Sequence, residues 1–129
     1  MALVDDLGSL APRWVFVVGI SSGHDGAAVL QALRPLAQEM ILTSSAHPRA
    51  IDPEELPLAG VAPGRRIAAC NQAFEAAVKS AGTGGHVCVT GSLALVARAR
   101  EYFQLPFERE GSSEEVALES LACLAMACE

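Results

Sequence analysis

Five consecutive apolar residues, Trp14-Val15-Phe16-Val17-Val18, stop abruptly at Gly19-Ile20-Ser21-Ser22-Gly23-His24-Asp25-Gly26 and are followed by an amphipathic stretch. An unbroken apolar run rich in β-branched and aromatic side chains is the pattern of a strand buried on both faces, as in a parallel sheet covered by helices on each side. The chain is therefore expected to be an α/β protein with this strand at the centre of its sheet. The glycine-serine loop leaves the carboxyl end of the strand, the edge on which open α/β sheets bind their ligands. Functional residues should gather there.

The stretches that follow fit the same architecture. Apolar residues at 29, 30, 33, 36 and 37 give Ala27 to Ala37 the stripe of a helix lying on a sheet, and Met40-Ile41-Leu42-Thr43 reads as the next buried strand. Two such strands joined by one helix make a right-handed parallel βαβ unit. Ser44 to Ala50 is then a second loop on the carboxyl edge. Asp52-Pro53-Glu54-Glu55-Leu56 has the signature of a helix start, with an N-cap aspartate, a proline in the first turn and acidic residues behind it. Pro63-Gly64 makes a turn and Arg65-Arg66-Ile67 a brief edge strand. Apolar residues at 70, 73, 74, 77, 78 and 81 predict a helix from Cys70 to Ala81 stopped by Gly82. His86-Val87-Cys88-Val89-Thr90 is the third buried strand, running into Gly91-Ser92 and a helix that reaches about Phe103. Beyond Leu105-Pro106, a polar linker from Glu108 to Glu115 precedes leucines and alanines at helical spacing from Val116 to Cys128. At the start, Leu3, Val4 and Leu7 share a helical face and Gly8 suits a helix stop, so the chain opens like the tail of a helix.

Composition narrows the function classes. Nine basic residues against fifteen acidic ones give a formal net charge of −6, which supplies no field for a nucleic-acid backbone, so no nucleic-acid partner is expected. The longest apolar run is far shorter than a bilayer requires, and the first ten residues carry Asp5 and Asp6 and no basic residue, unlike a secretory signal. The expectation is a cytoplasmic protein with no membrane partner. Cysteines at 70, 88, 123 and 128 include no Cys-x-x-Cys pair, so neither a disulfide framework nor a zinc site is expected; Cys70 and Cys88 read as small apolar fillers.

Three clusters carry the candidate chemistry. Gly19-x-x-x-Gly23-His24-Asp25 is one residue short of a phosphate loop and lacks its lysine and Ser/Thr, so it is a strand-to-helix turn in which Asp25 sits near a helix N-terminus. His47-Pro48-Arg49 places an arginine on an extended segment at the sheet edge. Its guanidinium has two open uses: clamping a carboxylate or phosphate, or pairing with Asp52 or Glu54. Gly91-Ser92 offers a glycine at a strand end and a serine at a helix N-cap, where backbone N–H groups and a hydroxyl face an anion. Ser92 has no histidine or acid at a spacing that suggests a triad, so capping is its expected role rather than nucleophilic catalysis.

The blocks Gly19-Ile20-x-x-x-x-Asp25, Val29-Leu30-x-x-Leu33-x-Pro35-Leu36-Ala37, Leu42-Thr43, Pro48-Arg49-Ala50-x-x-Pro53-Glu54-Glu55-Leu56 and Val89-Thr90-Gly91-Ser92-Leu93 stand in an order that resembles a known family. It is the C-terminal domain of folylpolyglutamate synthase/dihydrofolate synthase, a branch of the Mur ligase superfamily. The resemblance spans about Leu3 to Tyr102 and implies a Rossmann-like, mostly parallel sheet flanked by helices. It also implies ATP-dependent amide ligation, in which a folate or dihydropteroate carboxylate becomes an acyl phosphate that the amine of L-glutamate attacks. The C-terminal domain closes over a central ATPase domain that holds most of the ATP and Mg2+. Carried over residue by residue, Asp25 is a loop organiser, Arg49 a carboxylate or phosphate contact, and Gly91 with Ser92 a ligand contact; no catalytic and no metal-binding residue is expected in this chain.

Two departures shape the expectation further. Where the family usually has Asp-Lys-Asp this chain has Gly23-His24-Asp25, so only Asp25 carries over, and Ala94 stands where relatives often carry an aromatic residue. The family's domain begins with a strand and an Asp-Gly-Ala-His-Asn block, neither of which is found here. The implied organisation is a Mur-ligase-like α/β domain over residues 1–107 lacking its first strand, then a linker and C-terminal helix over 108–129. Such a chain should be inactive by itself, bind no cofactor alone, and expose a sheet edge that favours dimerisation. The alternative reading is a free-standing, non-catalytic Rossmann-like binding or interaction module.

Overall fold

The computed structural model describes residues 13–21, 26–45, 48–55, 64–103 and 123–127. Five strands, β1 (Trp14–Val18), β2 (Ala37–Ser44), β3 (Gly64–Ala69), β4 (His86–Thr90) and β5 (Cys123–Ala127), form one sheet in the order β3-β2-β1-β4-β5. The central strand β1 pairs in parallel with β2 and β4, β2 pairs in parallel with β3, and β5 runs antiparallel to β4. Helices α1 (Gly26–Leu33), α2 (Cys70–Ala81) and α3 (Leu93–Tyr102) flank this sheet. The expected mixed α/β fold with a mostly parallel sheet is thus observed.

Every residue of β1 is buried, and its side chains alternate between two cores. Trp14, Phe16 and Val18 join Met40, Leu42 and Cys88 beneath Val29, Leu30 and Leu33 of α1. Val15 and Val17 face the opposite way, with Ile41, Val87 and Val89, against Phe74 and Ala77 of α2 and Leu95, Val96 and Ala99 of α3. The right-handed crossover rule explains the two layers. The connection β1-α1-β2 steps toward β3, whereas β3-α2-β4 steps back past β1, so their helices fall on opposite faces.

Strands β1 and β4 and helix α2 have the bounds their sequences predict. Other segments differ. The helix expected over Ala27 to Ala37 ends at Leu33, a 3-10 turn covers Arg34–Leu36, and Ala37 opens β2. Pro35 accounts for the change, since it has no N–H to donate to an α-helical acceptor one turn back, while it is tolerated in the first turn of the 3-10 segment. At the Asp52 start, the Glu54 N–H donates to Asp52 Oδ1 at 2.9 Å, but the helical part described is a 3-10 turn over Pro53–Glu55. The edge strand expected at Arg65 to Ile67 extends over Gly64–Ala69.

The C-terminal helix expected from Val116 to Cys128 is corrected at its end, where Cys123–Ala127 is strand. Leucine, alanine and methionine favour helix, yet β4 offers an open row of backbone partners. Leu124 and Met126 alternate onto the α3 face while Ala125 lies exposed on the other. The expected helix tail at Leu3 to Leu7 and the linker from Glu108 to Glu115 lie outside the described residues.

Candidate functional site

Strand order reverses beside β1: the chain leaves β1 toward β2 and leaves β4 toward β5. In open α/β sheets the crevice outside the carboxyl ends of two such strands is the ligand position. Its walls here are the segment after β1, beginning at Gly19, and the segment after β4, Gly91-Ser92.

These two walls touch. The Gly19 N–H donates to the Thr90 carbonyl at 3.2 Å. Gly91 has φ +113°, and a Cβ there would lie 2.1 Å from the Gly19 carbonyl oxygen. Only glycine combines that backbone conformation with that approach. A Cβ on Gly19 would in turn meet Leu95 Cδ2 at 2.9 Å and the Thr43 carbonyl at 3.3 Å. The two glycines therefore let the carboxyl ends of β1 and β4 close against the first turn of α3.

Ser92 is buried, holds extended backbone angles, and caps α3. Its Oγ accepts from the Leu95 N–H at 3.0 Å, and its carbonyl accepts from the Val96 N–H at 3.1 Å. The hydroxyl thus serves one of the helix's early N–H groups, while those of Leu93 and Ala94 lie ahead of any intrahelical acceptor. Together with the helix dipole they give this end of α3 a partial positive character toward the crevice. Leu93 is 56% exposed beside them.

The loop after β2 is tied to the same edge. The Ile51 N–H donates to the Ile20 carbonyl at 2.8 Å, and Ser21 and Ala50 form an antiparallel bridge. Exposed Arg49 stands next to Ala50, so it travels with the segment that leaves β1. Thr43, Ser45 and Thr90 add buried hydroxyls at the carboxyl ends of β2 and β4.

Of the four site residues expected from sequence, Gly91, Ser92 and Arg49 are thus all on the carboxyl edge, and Asp25 lies outside the described residues. Gly91 and Ser92 follow β4, whereas Arg49 precedes Ala50, whose bridge to Ser21 joins it to the segment after β1. Sequence reasoning missed Gly19 as the surface Gly91 packs on, and missed the Ile20–Ile51 tie. Neither has a local signal, because each depends on which strands become neighbours. Cys70 and Cys88 are buried free thiols, and among the described residues no three His, Cys, Asp or Glu side chains cluster as metal ligands. No helix of the described residues is long and apolar enough to cross a membrane.

At the strand-order reversal of this mostly parallel α/β sheet, two abutting glycines and the capped start of α3 thus meet on the carboxyl edge. The family model for the Mur ligase, glutamate ligase domain, matches residues 1–93, and the chain belongs to that family. The match takes in β1 to β4 and ends just past Ser92, and membership makes the chain part of an ATP-dependent amide ligase. No curated protein and no solved structure gives a significant match.

Proposed function

We propose that this chain is the closing domain of an ATP-dependent folate:glutamate ligase of the folylpolyglutamate/dihydrofolate synthase type, acting as part of a longer cytoplasmic protein. One observation carries the reading: at the reversal of strand order, Gly91 at φ +113° packs on Gly19 and hands directly to Ser92 at the start of α3. That arrangement aims early helix N–H groups at the space where an anion would lie. The family match supports the amide-ligase class, and the resemblance carried by the Pro48-Arg49-Ala50 and Thr90-Gly91-Ser92-Leu93 blocks is what favours the folate branch.

In this reading the chain binds and orients rather than reacts. Gly91 and Ser92 hold an anionic group of the nucleotide or of glutamate at the mouth of α3. Arg49 clamps a carboxylate or phosphate from the neighbouring loop. Asp25 orders the segment between β1 and α1. ATP with Mg2+ would supply the phosphoryl group that activates the substrate carboxyl, and the residues for holding that metal belong, in this reading, to another part of the protein. Closure of this edge over the reactants excludes water from the activated carboxyl, which would otherwise hydrolyse. By itself the chain should therefore ligate nothing.

The test is ADP release and amide formation by the native polypeptide given ATP, L-glutamate and either dihydropteroate or a reduced folate. Ser92→Trp, which fills the crevice, should raise KM for glutamate or ATP or abolish turnover. Turnover of a different carboxylate acceptor in place of both pterin substrates would overturn the folate reading. Full activity of Ser92→Trp would overturn the assignment of the site.

A further inference from the structure

Arg49 lies in a turn rather than on a strand or helix, so its position depends on what fixes the residues that follow it. On the inner side, Ala50 bridges Ser21 and the Ile51 N–H donates to the Ile20 carbonyl at 2.8 Å, which ties the loop to the continuation of β1. Ile51 is half-buried against the core that α1 covers.

On the outer side the loop is held from β3. Arg66 Nε donates to the carbonyl of Pro53, a buried residue that opens the 3-10 turn Pro53–Glu55, at 2.9 Å. Arg66 stands opposite Leu42 in the β2–β3 register, and Leu42 belongs to the core that Ile51 packs against. Residues paired across neighbouring strands share a face of the sheet, so Arg66 leaves β3 on the face where the loop lies. Between the two anchors the loop is braced internally: Asp52 Oδ1 accepts from the Glu54 N–H at 2.9 Å, and the Asp52 carbonyl from the Glu55 N–H at 2.8 Å. The segment 50–53 is therefore fastened at both ends, to β1 on one side and to β3 on the other. The Arg66 bond suits this work, because Nε–H is fixed in the guanidinium plane and sets direction as well as reach. It is also partly buried, where a carbonyl left unmet costs more than in water.

We propose that Arg66 is a positioning residue of the ligand site: through Pro53 it locks the loop so that Arg49 is presented to the carboxylate or phosphate of the substrate in one place. The inference rests on the role given to Arg49 above. Arg66 itself touches no ligand. A cationic clamp gains most when it is held in place before the ligand arrives, and a displacement of about 1 Å can cost on the order of 100-fold.

The experiment pairs two readouts on Arg66→Ala. In the full chain, amide hydrogen exchange of Ile51 and Glu55 should quicken about fivefold or more while exchange in β1 and β4 stays unchanged, since the bond lost belongs to the loop and not to the core. In the native polypeptide, KM for L-glutamate or for ATP should rise about three- to tenfold with kcat little changed; the substrate whose KM moves distinguishes a carboxylate from a phosphate on Arg49. Arg66→Lys, which keeps a donor of similar reach, should recover much of both effects. Added to Arg49→Ala, Arg66→Ala should raise KM no further. Unchanged exchange at Ile51 and Glu55 would overturn the proposal whatever the activity. So would a KM that Arg49→Ala raises and Arg66→Ala does not, or an equal effect of Arg66→Ala with and without Arg49. Unaltered KM values in Arg49→Ala would instead remove the ligand role of Arg49, and the positioning role with it.

Discussion

Replacing Gly91 by alanine tests whether the β1–β4 contact holds the carboxyl edge together. The new Cβ would lie 2.1 Å from the Gly19 carbonyl oxygen and 3.0 Å from its carbonyl carbon, both backbone atoms of a buried strand end that cannot swing away. Three costs add. Alanine at φ +113° is strained by about 1–3 kcal/mol. Forcing two packed backbones apart costs about 1–3 kcal/mol more. Loss of the 3.2 Å Gly19–Thr90 hydrogen bond removes about 1 kcal/mol. The sum of about 3–7 kcal/mol is a large part of the roughly 5–15 kcal/mol that stabilises a domain. Urea or thermal unfolding should show it, as a fall in Tm of about 10–20 °C for a chain of this size. Gly84→Ala is the control, because Gly84 also has positive φ, +83°, but no atom within 4 Å of its added Cβ. It should lose only the strain, about 1–3 kcal/mol. Equal losses in the two variants, or a Gly91→Ala protein as stable as the wild type, would refute the close-packed edge.

Further variants probe other parts of the account. Ser92→Ala removes the cap on the Leu95 N–H and should cost about 1 kcal/mol in urea unfolding, with Ser92→Asp restoring most of it. Arg65→Ala strands the buried Glu39 carboxylate with the Ser80 hydroxyl alone; a loss of about 1–3 kcal/mol is expected, partly recovered when Glu39→Gln is added. Phe74→Ala empties a fully buried site whose ring meets Tyr102 and Phe103 at 5.3 and 5.7 Å, and should cost about 3–5 kcal/mol by calorimetry. Leu124→Ala, in a strand that packs on α3, should cost about 2 kcal/mol and raise hydrogen exchange along β4.

How much was legible in the sequence depended on whether a segment's structure is decided locally. The runs at Trp14–Val18 and His86–Thr90 and the helix Cys70–Ala81 carry their own stop signals, in Gly19, Gly91 and Gly82, and fold as read. The Ala27–Ala37 stripe was misread at its end because Leu36 and Ala37 fit a helical face, while Pro35 and the pairing of Trp14 with Ala37 draw that end into β2. The strand at Cys123–Ala127 was hidden more deeply: helix-forming residues become strand because β4, more than thirty residues earlier, has an edge to fill. The alternation of Leu124 and Met126 with Ala125 was the one available signal. At the site, the cap chemistry of Ser92 was readable. The packing of Gly19 on Gly91 was not, since it joins strand ends that are adjacent only in the folded sheet.

The central claim, that this chain is one domain of a larger ligase, is tested most directly by the mass and peptide coverage of the native polypeptide. An antibody against residues 14–103 would recover it from the source cell. The account predicts a species much longer than 129 residues, carrying an ATPase domain in the same polypeptide and releasing ADP when L-glutamate is added. A native species no larger than this chain would contradict it.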